Sequence, residues 1–156
     1  MNSSVDYSSR LRELFLDGHW IANTNYSTLL ADVPYEVAIK QVHSLNTIAA
    51  LTFHMNYYLQ GLKEVMEGKP LAIHDQYSYD LRPLANEHEW RTLVQTLETN
   101  AARFIELVSM FNAEEWSRPF VDQRYGTWQR NIEGVLEHGY YHLGQMVLLK
   151  KLALVV

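Results

Sequence analysis

The stretch from Thr127 or Trp128 almost to the C-terminus contains no proline. At about 25 residues it is long enough for a helix of roughly 37 Å. Measured from His142 at 100° per residue, Trp128, Asn131, Val135, His138, Met146, Leu149 and Ala153 fall on one side of it, and Tyr140 and Lys151 on the other. Such a face needs other elements to cover it, and further helices are the simplest cover.

The rest of the chain supplies them. Leu11, Leu14 and Phe15 recur at helical spacing from Tyr7 to Leu16. Gly18 interrupts that segment, and a patchier apolar pattern resumes from Trp20 to Leu30, so the first helix is expected to break or bend near Gly18. Pro34 opens a short helical turn. Ser44 is the expected N-cap of a long second main helix over Leu45 to about Glu67. Its stripe is Leu45, Ile48, Thr52, Met55, Leu59, Leu62 and Met66, and Gly68 and Pro70 stop it. Residues 69–85 hold no helical period and read as an ordered crossover whose aromatics cover the bundle. The third main helix runs from Glu87 to about Val108 on a face that includes Trp90, Leu97, Ala101, Phe104 and Ile105. Asn112–Trp116 adds one turn before a turn-prone link from Arg118 to Gly126. The expected fold is all-α: a four-helix bundle over residues 1–156, with long connections after the second and third helices. All four tryptophans, Trp20, Trp90, Trp116 and Trp128, are expected in the core or at an interface.

Composition narrows the function classes. No cysteine is present, which excludes disulfides, thiolate zinc sites, iron–sulfur clusters and a cysteine nucleophile. The net charge is −5, from 13 basic and 18 acidic side chains, opposite to the basic field of a nucleic-acid binder. No apolar run approaches the ~20 residues of a membrane helix. The N-terminus lacks a basic-then-apolar leader pattern, so a cytoplasmic protein is the expectation.

Seven histidines are present. His138 and His142, at i and i+4, lie one above the other on the apolar face of the last helix. Two imidazoles so spaced can bind one metal ion, at roughly 2.0–2.1 Å per nitrogen. The competing reading is a pair of independently satisfied core histidines. A metal site wants a third ligand, and His54, midway along the second main helix, lies at a matching depth if the helices are antiparallel. His43 is a reserve ligand, while His19, His74 and His88 lie at element edges and are expected to face solvent. Three neutral imidazoles with an open fourth position define a catalytic-type site, and their lack of charge favours an anionic substrate atom or hydroxide. The metalloprotease pattern HExxH is absent, because Gly139 stands where its glutamate would. No E-x-x-H occurs, which disfavours a carboxylate-bridged di-metal centre. Neither GxxxxGK[ST] nor GxGxxG is present.

The segment HSLNTIAALTFHMNYYLQGLKEVMEGKPL (His43 to Leu71), followed by EHGYYHLGQMVLLKKL (Glu137 to Leu152), resembles the DinB-like four-helix-bundle superfamily. The closing H-x-x-Y-H-x-G-Q-I/M-x-L-x-K block is the more specific part. Members place one metal-ligand histidine in the second main helix and two, four residues apart, in the last. Carried over by position, these are His54, His138 and His142.

The resemblance implies one divalent ion per chain, zinc or nickel, and frequent homodimers. It implies thiol-S-transferase-like chemistry on a small thiol or anionic substrate, or hydrolysis of a small molecule, with the metal activating a thiol or water. Tyr58 and Tyr141 fall where they would support the ligands, or pack as ordinary aromatics. The alternative is a non-catalytic bundle that binds metal or a small ligand, or serves as an interaction module.

Overall fold

A computed structural model describes residues 3–155. Seven α-helices follow one another there: α1 (Ser3–Arg12), α2 (Tyr26–Ala31), α3 (Tyr35–Ala38), α4 (Ile48–Met66), α5 (Glu87–Ser109), α6 (Ala113–Ser117) and α7 (Trp128–Ala153). The four long ones, α1, α4, α5 and α7, form the bundle, with α4 and α1 both packed on α5 and α7 packed on α4. Among the described residues there is no strand, only one isolated bridge between Pro119 and Thr127. None of these helices is long and apolar enough to cross a membrane.

Local chemistry sets most helix boundaries. α5 starts at Asn86, whose side chain accepts from the Glu89 N–H at 3.0 Å, and Glu87 and Glu89 suit its positive end. α7 starts at Thr127, which accepts from the Arg130 N–H at 3.2 Å, and ends beside Lys150 and Lys151. α4 departs from expectation. Its cap is Thr47, not Ser44, accepting from the Ala50 N–H at 3.0 Å. Residues 42–45 form a turn instead, with the Leu45 N–H donating to the Val42 carbonyl at 3.0 Å and His43 at a left-handed φ of 49°, and Leu45 is exposed outside the helix. α1 breaks at Gly18 as expected: it widens into a π-type turn over Glu13–Asp17 and ends, with Gly18 extended and so close to Glu13 that a Cβ would lie 2.3 Å from the Glu13 backbone. The loop that follows carries Trp20, which at 72% exposure is no core residue, unlike Trp90, Trp116 and Trp128.

One core runs through the helices. Trp90, Tyr26, Phe15, Phe104, Leu97, Met55 and Met146 are almost wholly buried in it, and a large apolar side chain so placed contributes ~1.5–3 kcal/mol. Trp90 Nε1 donates to the Val33 carbonyl at 2.7 Å, which ties the α2–α3 segment to α5. Between α4 and α5, Lys63 donates to Asn100 and Asn100 to Asn56, each at 2.8 Å, a polar chain buried at its two asparagines that fixes the register of the two helices.

Two features bring the histidines together. Gly139, between His138 and His142, lets the π-type turn approach α7: a Cβ there would lie 2.4 Å from Leu14 Cδ2, and Tyr26 donates to the Gly139 carbonyl at 2.8 Å. Gly61 does the same for the crossover after α4, since its Cβ would lie 2.4 Å from Ile73 Cγ1. The crossover, residues 67–86, thus folds back along α4 and is held there by Tyr57, which donates to the His74 carbonyl and accepts from the His74 N–H.

Candidate metal centre

His54 projects from the middle of α4, and His138 and His142 from successive turns of α7. Their Nε2 atoms converge: His54 to His138 at 3.1 Å, and His138 to His142 at 2.8 Å. The three ligand atoms all lie within 4.8 Å of one another. Two nitrogens bound tetrahedrally to one zinc sit about 3.3 Å apart, so the spacing is close to that of a coordination site.

The far side of two rings fixes the proton positions. His54 Nδ1 lies 3.2 Å from the Ser78 carbonyl, and His142 Nδ1 lies 2.6 Å from Gln145 Oε1. Both partners are acceptors, so both Nδ1 atoms carry the hydrogen and both neutral rings present a bare Nε2 lone pair. His138 Nε2 stands between them and can donate to one at most. At least one of the two nitrogen contacts therefore sets lone pair against lone pair, an arrangement that a cation resolves. The donor set fits a divalent metal ion.

Electrostatics agree. All three imidazoles are held below the ordinary histidine range, chiefly by burial. His138 is lowered to about 4 by burial and then by the neighbouring His142 and His54. Tyr79 stacks on the His54 ring at 4.1 Å between centroids, while the edge of Tyr58 meets both His54 and His138.

His54 and His142 are buried, but His138 is only half-buried and opens on a cleft of about 610 Å³. α4 and α7 form the cleft's floor through Tyr58, Leu62, Gly134 and Val135, and the connections after α4 and α6 form its rims. Tyr58 donates to Asp75 at 2.8 Å on one rim. Arg130, paired with Glu137 at 3.0 Å, stands near the other. Among the described residues no carboxylate joins the three histidines.

The sequence model of the DinB superfamily matches residues 22–146, which span α2 to the last third of α7. The chain belongs to the DinB superfamily. No curated protein and no solved structure matches it.

In this DinB-superfamily chain the structure brings together the three histidines singled out from the sequence and leaves the reserve residue apart. His43 is exposed in the loop before α4, and His19, His74 and His88 are exposed as expected. Tyr58 lies against the cluster, whereas Tyr141 is largely solvent-facing and only its ring edge touches His142. The crossover residues Ser78, Tyr79 and Asp75 were not legible as site residues, and Gln145 stood in the closing sequence block without an assigned role. Gln145 had a usable signal, since it lies at i+3 from His142 on the same helix. Ser78 had none, because it acts through its backbone carbonyl.

Proposed function

We propose that this protein is a divalent-metal-dependent enzyme of the DinB superfamily in which His54, His138 and His142 hold one zinc or nickel ion. The observation that carries the reading is the convergence of three Nε2 atoms beside an open cleft, with the Nδ1 protons of His54 and His142 both given to carbonyl oxygens. A divalent ion at that point supplies Lewis-acid activation of water or of a small thiol. The chain's own residues do the rest. Ser78 and Gln145 orient two ligand rings, Tyr79 shields His54 from water, and the cleft beside His138 receives the substrate. A thiol-S-transferase-like or small-molecule hydrolase activity suits three neutral ligands that leave a position open. A purely structural metal is less well supported, since such sites are closed by a fourth protein ligand.

The same reading includes a homodimer. α7 leaves Tyr141, Leu148 and Leu152 exposed along one face, an apolar stripe suited to a second copy. Sedimentation of the native chain tests it, and a monomer at all concentrations would remove the homodimer.

The deciding experiment is elemental mass spectrometry on untagged protein, native and His138→Ala/His142→Ala. About one zinc or nickel ion per chain, lost in the double variant, is the expected result. Absence of metal from native protein, even after both ions are added, would overturn the proposal. With metal present, a screen of thiol-transfer and ester-hydrolysis substrates follows. His138→Ala should abolish any turnover found while leaving most of the helicity, whereas a structural metal would take helicity with it.

A further inference from the structure

One residue of the cleft floor has no side chain. Gly134 lies one turn before His138 on α7 and therefore shares its face. A Cβ at Gly134 would meet nothing within 4 Å, although the residue is half-buried and lines the cleft. Glycine inside a helix is less stable than alanine, and here no protein neighbour requires it. Gly139, five residues on, is different, because Leu14 occupies the space a side chain would need.

We infer that Gly134 sets the depth of the cleft, so that the apolar body of a ligand lies directly on the α7 backbone with its donor atom turned toward His138. The other walls define the class. Leu62, Val135, Ile73 and Phe120 offer apolar surface, and Asp75, Arg130 and Asn131 add polar groups to the lining. A volume of about 610 Å³ suits a compact organic molecule, not a polymer. Three uncharged imidazoles leave the charge of a bound divalent ion uncompensated, so the end beside His138 takes an anion. The ligand class is a small organic anion with a flat or branched apolar body. This deepens the metal-dependent reading above and rests on it.

The test uses zinc-loaded protein and two size-matched probes, 2-naphthoate and uncharged 2-naphthamide, titrated by calorimetry. The native chain should bind 2-naphthoate at least tenfold more tightly than the amide. Gly134→Leu should weaken 2-naphthoate at least tenfold, with zinc stoichiometry unchanged and Tm no lower, since leucine is the better helix former. Gly134→Ala should act in the same direction and less strongly, which keeps the test valid if the larger variant folds poorly. Undiminished 2-naphthoate binding in Gly134→Leu, equal affinity for the amide, or no binding of 2-naphthoate to zinc-loaded native protein at about 1 mM would each overturn the inference. Failure of the native chain to take up zinc would instead overturn the metal reading beneath it, and zinc content separates the two.

Discussion

His142 gives its Nδ1 proton to Gln145 Oε1 at 2.6 Å, across one turn of the same helix. That contact fixes the tautomer of His142 and aims its Nε2 at His138, so Gln145 acts on the cluster only through the ring it orients. Gln145→Leu should therefore weaken zinc binding by about 10–100-fold while leaving the fold intact. Gln145→Glu, which keeps an acceptor, should restore most of it. Competition with a chromophoric chelator reads both, and equal affinities for the leucine variant and the native chain would remove Gln145 from the site.

The crossover after α4 should couple stability to metal affinity. Gly61→Ala sets a Cβ 2.4 Å from Ile73 Cγ1, on the segment that also carries the Ser78 carbonyl bonded to His54. Overpacking of this kind costs about 1–3 kcal/mol. Urea unfolding should show that loss, chelator competition should show weaker zinc binding, and adding Ile73→Ala should recover part of both. A stability loss without any change in zinc affinity would show that the crossover does not position His54.

Much of this architecture was legible in the sequence because it follows from helical spacing. The α7 face derived from the 100° repeat is the face that is buried, from Trp128 and Val135 through His142 and Met146 to Ala153. His54 met its partners because depth along antiparallel helices can be counted. The start of α4 was less legible, since Ser44 and Thr47 are both good caps and the turn over residues 42–45 delays the helix to the second. The fate of Trp20 depended on where the loop after α1 turned, which no periodicity encodes. Half of the support for His54 was invisible for a similar reason. A carbonyl at Ser78 could be supplied by any residue, and Tyr79 reaches the ring only because the crossover doubles back.

Acid should destabilise the metal-free protein in a defined window. His138 titrates at about 4 in the folded chain and near 6.5 when unfolded. Between those values the unfolded state binds more protons, so stability rises with pH. The contribution is fully present above about 6.5 and is lost as pH falls to about 4, with His54 and His142 shifted in the same direction. Urea unfolding of chelator-treated protein from pH 7 to 4 should show this slope, and His138→Gln should flatten it. An unchanged slope in that variant would mean that His138 is not held neutral by its surroundings.

The glycines of α7 should respond to alanine in opposite ways. At Gly139 the new Cβ would lie 2.4 Å from Leu14 Cδ2 and 3.5 Å from Phe15 Cζ, both in the core, and the Tyr26 hydroxyl holds the same residue's carbonyl. Leu14 is fully buried and has little room to move, so Gly139→Ala should cost about 1–3 kcal/mol. At Gly144 a Cβ meets nothing within 4 Å, and alanine there should gain about 0.5–1 kcal/mol from helix propensity alone. For a chain of this size, 1 kcal/mol moves Tm by roughly 2–4 °C. Calorimetry should place Gly139→Ala below and Gly144→Ala above the native protein. If Gly139→Ala matched the native Tm, the close approach of the π-type turn to α7 would not depend on that glycine, and the position of the two flanking histidines would need another cause.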